Sequence, residues 1–499
     1  MNPARSPWNE RARVGEFIAN AADVAWGLPF ILMLGGVGLW FTIRLGLPQV
    51  RNFGHALAIG RGKYDEADDP GDVTHFQALC AALSATVGVG NIGGVATAIW
   101  YGGPGAAIWM AIFGVFGMMT KFASCTLSLR YRVIDPAGRI LGGPMESLSR
   151  GLGKNFRWLA VMFAICAVIS SFGGGNMVQA NQMAGAFVDE FGPRLKEMAP
   201  GLMEPIHLFG AGTDEQSTTG VQIILGLTLA LLVGLVIIGG IQRVGKVAGI
   251  LVPVMAALYI GGALTVIVIH LDEVPRMLSD MFSMAFGGSI EKKVAGGAVG
   301  MTFVQALTWG AKRAVFSNEA GLGSAPIAHA AAKTKEPVRE GLVAMLEPFI
   351  DTVVICMMTA LVISLTGVWE SWEDGSNGAA LTKAAFDAGM PDNFKWVGRY
   401  TVAIGLILFA ISTAISWSYY GDRCITFLIG PKAVLPYRVC YVFALFLGAN
   451  LSGGVVWQFA DIANAAMAFW HIVGLIGLSG VVVTLYKDYF SRDHQPTEL

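Results

Sequence analysis

Eleven apolar stretches, each long enough or nearly long enough to cross a bilayer as a helix, run through a chain of 499 residues and leave little sequence between them. A hydrocarbon core of about 30 Å takes about 20 apolar helical residues. The stretches run over residues 27–45, 76–100, 105–129, 158–186, 219–238, 247–269, 296–311, 341–366, 397–428, 439–451 and 462–486, the seventh and tenth being short. Charge agrees, because only 14% of residues are Asp, Glu, Lys or Arg against 54% hydrophobic, too few to coat a water-facing exterior of this size. The expected fold class is therefore an all-α, multi-pass membrane protein with the lipid bilayer as its main solvent.

A net charge of −1 supplies neither a basic excess for a nucleic-acid backbone nor an acidic tail, which argues against nucleic acid as a partner. The six cysteines lie in or beside apolar stretches without a CxxC pair, so neither a disulfide framework nor a metal site is expected. Residues 1–26 lack the apolar core and cleavage site of a signal peptide. Val14, Phe17, Ile18, Ala21 and Val24 recur at helical spacing behind Arg11 and Arg13, which fits an amphipathic helix at the membrane surface and equally a solvated leader.

Eleven spans put the termini on opposite sides. With the C-terminus inside, 22 of the 34 Lys and Arg fall in or beside inner loops and 11 in outer segments, which predicts N-terminus outside and C-terminus cytoplasmic. The 64 glycines concentrate inside the spans, where small residues let helices approach closely. Two runs exceed what packing needs: residues 84–94 in span two, and Thr308–Gly310 leading into Phe316–Ser324 in span seven. A helix-breaking composition at membrane depth leaves backbone groups that must face protein, water or a ligand. Spans two and seven are five apart, so residues 76–269 and 296–486 divide into two oppositely oriented five-helix repeats, each opening with a broken helix, behind an extra helix at 27–45 and before a cytoplasmic tail at 487–499. Paired broken helices with a midplane site are the pattern of secondary transporters.

At these residues the chain resembles the alanine or glycine:cation symporter family. The similarity is carried by ThrValGlyValGlyAsnIleGlyGly (86–94), GlyGlyProGly (102–105), GlyGlyProMet (142–145), AsnMetValGlnAlaAsn (176–181), PheSerAsnGluAlaGlyLeuGlySer (316–324), PheIleAspThr (349–352) and TrpSerTyrTyrGly (417–421). It departs at Ser124, where family members often carry an acidic residue, and at Glu146 and Ser147, where they often carry an aromatic pair. The resemblance implies the inverted-repeat fold of bacterial leucine transporters. It also implies Na+-coupled uptake of a small neutral amino acid, alanine or glycine, across the plasma (inner) membrane, with no organic cofactor. H+ coupling and a larger substrate such as glutamine stay open at this level, as does the oligomeric state.

A zwitterionic substrate needs partners for a carboxylate and an ammonium, and a broken helix offers both from its free amides and carbonyls. Groups around Gly88, Gly90 and Asn91 are expected to hold the carboxylate, and carbonyls near Thr308, Trp309 and Gly310 the ammonium. By the resemblance, Na+ takes the carbonyls of Ser84, Val87 and Ala410 and the hydroxyl of Thr413, with Ser412 the near alternative, although a Ser in a membrane helix also commonly bonds its own backbone. The Asn91 side-chain oxygen is a candidate for a second ion or the substrate. Gln179 reads as a pocket donor or as interhelical glue, and Trp417 and Trp309 as pocket walls or core.

Lys121 and Asp351 fall at matched depth in spans three and eight, which predicts an ion pair, structural or gating, with Glu319 as a competing partner. Ser317 or Asn318 followed by Glu319 also fits a helix start. A membrane enzyme is disfavoured because no nucleophile, base and orienting group cluster. Gly240–Lys246 resembles a phosphate loop but lacks the closing Ser or Thr and a preceding strand, and reads as a short basic loop. A channel would conduct without stoichiometry, and a receptor has no need of two broken helices.

Overall fold

The computed structural model describes residues 25–66, 68–135, 138–208, 217–287, 290–294, 297–373, 378–451 and 453–494. The amphipathic reading of residues 1–26 thus falls almost wholly outside the described residues.

Helices dominate. In chain order they include α1 (Leu28–Arg44), α2 (His75–Thr86), α3 (Val95–Gly102), α4 (Gly105–Tyr131), α5 (Arg157–Phe172), α6 (Val178–Met198), α7 (Gly220–Ile237) and α8 (Gly240–Ile269). They continue with α9 (Phe303–Asn318), α10 (Ala325–His329), α11 (Pro337–Ala344), α12 (Met357–Thr366), α13 (Lys395–Ile429), α14 (Val434–Asn450), α15 (Gly453–Gly477) and α16 (Ser479–Phe490). Among the described residues eight helical segments are long and apolar enough to cross a membrane, and α2 with Gly90–Gly102, bent by 54°, makes a ninth. The first expected span is the shorter apolar helix α1, and the seventh corresponds to α9 and the stretch after it. Large apolar side chains such as Ile43, Leu231, Ile250 and Leu435 stand exposed on the outside, the arrangement of a protein whose solvent is lipid.

Local chemistry sets the helix starts. Thr74, Thr219 and Thr302 each accept from the amide three residues on, while Gln77, Gln222 and Gln305 reach back to the capping amide, three capping boxes that begin α2, α7 and α9. The box at Thr302 corrects the seventh span. Residues 297–301 are a strand paired antiparallel with Ile290–Val294, and the helix starts at Phe303 and runs unbroken past Ala311 to Asn318. The last expected span is likewise two helices, parted at Leu478 between α15 and α16. Residues 240–246, expected as a loop, are the first turns of α8. Among the described residues, helices outside the expected spans went unforeseen, including Val274–Phe286 and Gly378–Ala388, because neither is long enough to read as a span.

The interior core is built where α4 lies against α9, α11 and α1, and where α13 lies against α2, α5, α6 and α8. Both broken segments are enclosed by these contacts.

Candidate functional site

The first break begins where α2 ends. Val87 turns to an extended conformation (φ −72°, ψ 95°), and after Gly88 and Val89 the chain resumes as a single π-helical turn, Gly90–Gly94, before α3. Glycine at 88 is required by close approach, since a Cβ there would lie 2.8 Å from Thr413 Oγ1 on α13 and 3.4 Å from Gln179 Oε1 on α6. The amides freed by the break are partly recaptured: Gly88 N–H donates to Asn91 Oδ1 at 2.8 Å and Val89 N–H to Gln179 Oε1 at 3.4 Å. The Asn91 oxygen thus accepts one bond from its own segment and keeps a second lone pair for an ion or the substrate.

The second break lies at 319–324, later than Thr308–Gly310. Thr308, Trp309 and Gly310 sit inside the continuous α9, where their carbonyls belong to the helix's own ladder, so they do not supply free acceptors for an ammonium. Trp309 instead stacks on Tyr101, with ring centroids 4.1 Å apart, away from the cavity. Ser317 and Asn318 end α9, and Glu319 caps its C-terminus in the left-handed region (φ 56°), so the expected helix start is a helix stop. The six-residue turn that follows carries the carboxylate of Glu319 inward. There it accepts from Trp417 Nε1 at 2.7 Å and from the Ser324 hydroxyl.

Asp351 holds the two breaks together. It lies in the π-helical segment Phe349–Cys356 between α11 and α12; its Oδ1 accepts from Asn91 Nδ2 at 2.6 Å, and its Oδ2 from Ser317 Oγ at 2.9 Å and Thr352 Oγ1 at 2.7 Å. Asn318 Nδ2 adds a bond to Thr352 Oγ1 at 2.9 Å. The expected pairing of Asp351 with Lys121 is corrected: Lys121 Nζ lies 2.6 Å from Glu347 Oε2, one turn earlier in the same span. Depth alone was right to within a turn, but Asp351 accepts from Asn91, Ser317 and Thr352 instead.

Between the breaks is a narrow cavity of about 10 Å³, bordered by Gly88, Gly90, Gln179, Glu319, Thr413 and Trp417 among others. The structure thus gathers Gly88, Gly90, Gln179 and Trp417 from the sequence reading in one place. Trp417 closes one wall, and Gly175 lies so near that any Cβ there would overlap its indole. Gln179 Nε2 donates to the Gly174 carbonyl at 2.9 Å, so its amide is oriented by the backbone on both sides. Ser84 and Ser412 bind each other across α2 and α13: the Ser84 hydroxyl donates to the Ser412 carbonyl at 2.8 Å, and the Ser412 hydroxyl to the Ser84 carbonyl at 3.3 Å and to its own helix at Phe409. Thr413 Oγ1, next along α13, is buried with no hydrogen-bond partner among the described residues. Val87 and Ala410 are buried beside these groups in sequence, with carbonyls as their only polar contribution.

Sequence reasoning missed Phe316, Leu322 and Asn464 as cavity residues. The first two stand in a stretch already singled out, whereas Asn464 on α15 carries no local signal. Thr382, on the unforeseen helix Gly378–Ala388, donates to the Ile92 carbonyl in the first break at 3.0 Å. Ser124, a family departure, faces His471 Nε2 at 3.1 Å, and Glu146 pairs with Arg150 at 2.8 Å.

Comparison with known proteins agrees with this architecture. Residues 11–498 match the sodium:alanine symporter family. The sodium/alanine symporter AgcS of Methanococcus maripaludis is 41% identical, over 93% of this chain and 94% of its own. The probable sodium/glutamine symporter GlnT of Bacillus subtilis is 34% identical, over 94% and 89%. The crystal structure of MhsT in complex with L-phenylalanine has the same fold at 14% identity, with a TM-score of 0.51 over 83% of this chain and 97% of that one. With a family match along nearly its whole length and broken helices enclosing a buried polar cavity, the chain belongs to the sodium:alanine symporter family.

Proposed function

We propose that the protein is a Na+-coupled symporter that takes up small neutral amino acids, alanine or glycine, by alternating access around the cavity between the two breaks. The observation that carries this reading is Thr413 Oγ1, a buried hydroxyl without a partner among the described residues, facing Gly88 at the point where the first break frees backbone groups. A hard cation takes oxygen ligands, and this hydroxyl with the carbonyls of Ser84, Val87 and Ala410 offers them; Ser412, already bonded to two carbonyls, is the weaker candidate. Amides around Gly88 and Gly90 meet the substrate carboxylate. For the ammonium, Glu319 and the carbonyls of its turn replace the helical carbonyls of residues 308–310. Trp417, Phe316 and Leu322 line the cavity, and their bulk favours a short side chain.

The same reading arranges the chain as eleven spans, with inverted repeats over residues 76–269 and 296–486, N-terminus outside and C-terminus cytoplasmic in the plasma (inner) membrane. Glutamine is the second reading, favoured by the likeness to a relative named for that substrate. Uptake of labelled alanine into proteoliposomes under an inward Na+ gradient, against K+ and against a pH gradient, tests both. Concentrative uptake with Na+ alone supports the symport, uptake with the pH gradient alone moves the coupling to H+, and competition by glutamine above glycine moves the substrate.

A further inference from the structure

Below the cavity, five fully buried side chains form one unbroken line. Lys121 Nζ donates to Glu347 Oε2 at 2.6 Å; Glu347 Oε1 meets His329 Nε2 at 2.5 Å; His329 Nδ1 meets Glu340 Oε1 at 2.5 Å; and Glu340 Oε2 meets His75 Nδ1. Each of the five is at most 1% exposed. Carboxylates only accept, so an imidazole held between two of them carries a proton on each nitrogen, and His329 is an imidazolium. Two cations, Lys121 and His329, then balance two anions, Glu347 and Glu340, which is how buried charge persists in lipid. His75 is left neutral, giving its Nδ1 proton to Glu340. Its Nε2 lone pair has no hydrogen-bond partner among the described residues and lies 3.8 Å from Asp65, which is 37% exposed on the loop before α2.

We propose that this line is a proton-binding relay, loaded at His75 from the face that carries Asp65 and acting on the substrate cavity through Lys121. It rests on the transport reading, whose orientation makes that face cytoplasmic. The proton count closes without any other reactant. An incoming proton bonds to His75 Nε2, the Nδ1 proton of His75 moves to Glu340 Oε2, and the Nε2 proton of His329 moves to Glu347 Oε1. Every hydrogen bond survives: the His75–Glu340 and His329–Glu347 bonds reverse their donors, while His329 Nδ1 still donates to Glu340 and Lys121 to Glu347. Both carboxyls and both imidazoles are then neutral, and the single added charge resides on Lys121, whose other carboxylate neighbours are Glu319 at the cavity wall and Asp351 between the breaks.

Other charges near the line are already engaged. Arg339 donates to the Tyr64 carbonyl at 3.0 Å, and Arg132 donates to four carbonyls, those of Ala330, Ala332, Pro70 and Thr334. Cys125 and Tyr420, also close to Glu347, carry no charge as thiol and phenol. Among the described residues no group of three or more His, Cys, Asp or Glu is arranged to hold a metal ion, so these groups serve one another.

The test is infrared difference spectroscopy on the purified full-length protein between about pH 8 and about pH 6, the range over which imidazoles ordinarily charge. A buried carboxylic-acid C=O band is expected in the wild type, lost in His75→Gln although both glutamates remain, and kept in His207→Gln at an exposed histidine. Asp65→Asn, which alters only the entry, lowers the pH at which the band appears and decides the matter if His75→Gln does not fold. A wild type without the band, or a band unchanged in both variants, overturns the relay. In proteoliposomes, Na+-driven alanine uptake at fixed external pH should change at least about threefold over the same internal pH range in the wild type and stay flat in His75→Gln. A band with no change in uptake overturns the action on the cavity, whereas no uptake under any gradient overturns the transport reading and leaves the band to decide the relay.

Discussion

Asn91 Nδ2 lies 2.6 Å from Asp351 Oδ1, a contact that joins the first broken helix to the span after the second. Ser317 from the second break shares the same carboxylate at 2.9 Å, so one side chain fixes the spacing of both. Asp351→Ala leaves the Asn91 amide and the Ser317 hydroxyl buried without this acceptor, a cost of about 1–3 kcal/mol for each group that finds no other. We expect a clear drop in thermal stability and loss of uptake, while Asp351→Asn, which keeps one carbonyl acceptor, retains more of both. Equal loss in the two variants would count against the tether.

Lys121 and Glu347 are buried to the same degree and bonded at 2.6 Å. Removing one partner strands the other, at about 3–5 kcal/mol, so Lys121→Met and Glu347→Gln should each lower the melting temperature strongly, and the double variant less than their sum. Lys121→Met with Asp351→Asn should show no such relief, because those two side chains do not pair. Thermal unfolding in detergent of these variants, together with Asp351→Asn alone and the wild type, reads both cycles.

Thr413 Oγ1, beside Gly88, has no hydrogen-bond partner among the described residues. Thr413→Val keeps the volume and removes the oxygen, and is expected to raise the Na+ concentration for half-maximal uptake about tenfold or more, equivalent to about 1.4 kcal/mol. Thr413→Ser restores most of it. A Na+ titration of uptake rates that separates neither variant from the wild type would remove Thr413 from the ion site.

Trp417 donates to Glu319 and fills the space above Gly175. Trp417→Phe keeps most of the wall and loses the donor, leaving a buried carboxylate short of one bond at a cost of about 1–3 kcal/mol. Trp417→Ala opens the cavity, and competition assays should then rank glutamine closer to alanine. Gly175→Ala drives a methyl into the indole and should abolish uptake with either substrate.

Glu336 and Arg492 lie outside the spans and link the loop before α11 to the segment after α16 at 2.8 Å. The bond from Arg492 holds the Glu336 carboxyl below its ordinary range. A depressed folded value means the pair stabilises the protein above the usual carboxylate range and stops doing so as pH falls through the lowered value. The pair is partly solvated, so its worth is about 0.5 kcal/mol or less. Arg492→Ala should increase proteolytic cleavage near the C-terminus at neutral pH, with the difference closing in acid.

The helical, membrane-crossing character and the first break were legible in the chain because lipid imposes a strong one-dimensional rule: about 20 apolar residues per crossing, and no unpaired backbone unless something buried receives it. That rule marked Ser84–Gly94 and Phe316–Ser324 as interruptions and pointed to Gly88 and Gly90; Thr413 was expected only from the family resemblance. It did not reveal that α9 runs intact through Thr308–Gly310, because a glycine beside a tryptophan breaks or continues a helix according to what packs on it, here the backbone of α4 at Ala106 and Met110. Nor did depth along a helix decide which carboxylate Lys121 meets. Glu347 and Asp351 differ by about one turn, and the choice followed from Asn91 and Ser317 having claimed Asp351 first. The line of His75, Glu340, His329 and Glu347 is invisible in sequence for the same reason: a buried charge is stable only beside its partner, and His75 lies 265 residues from Glu340, so only the tertiary structure brings them together.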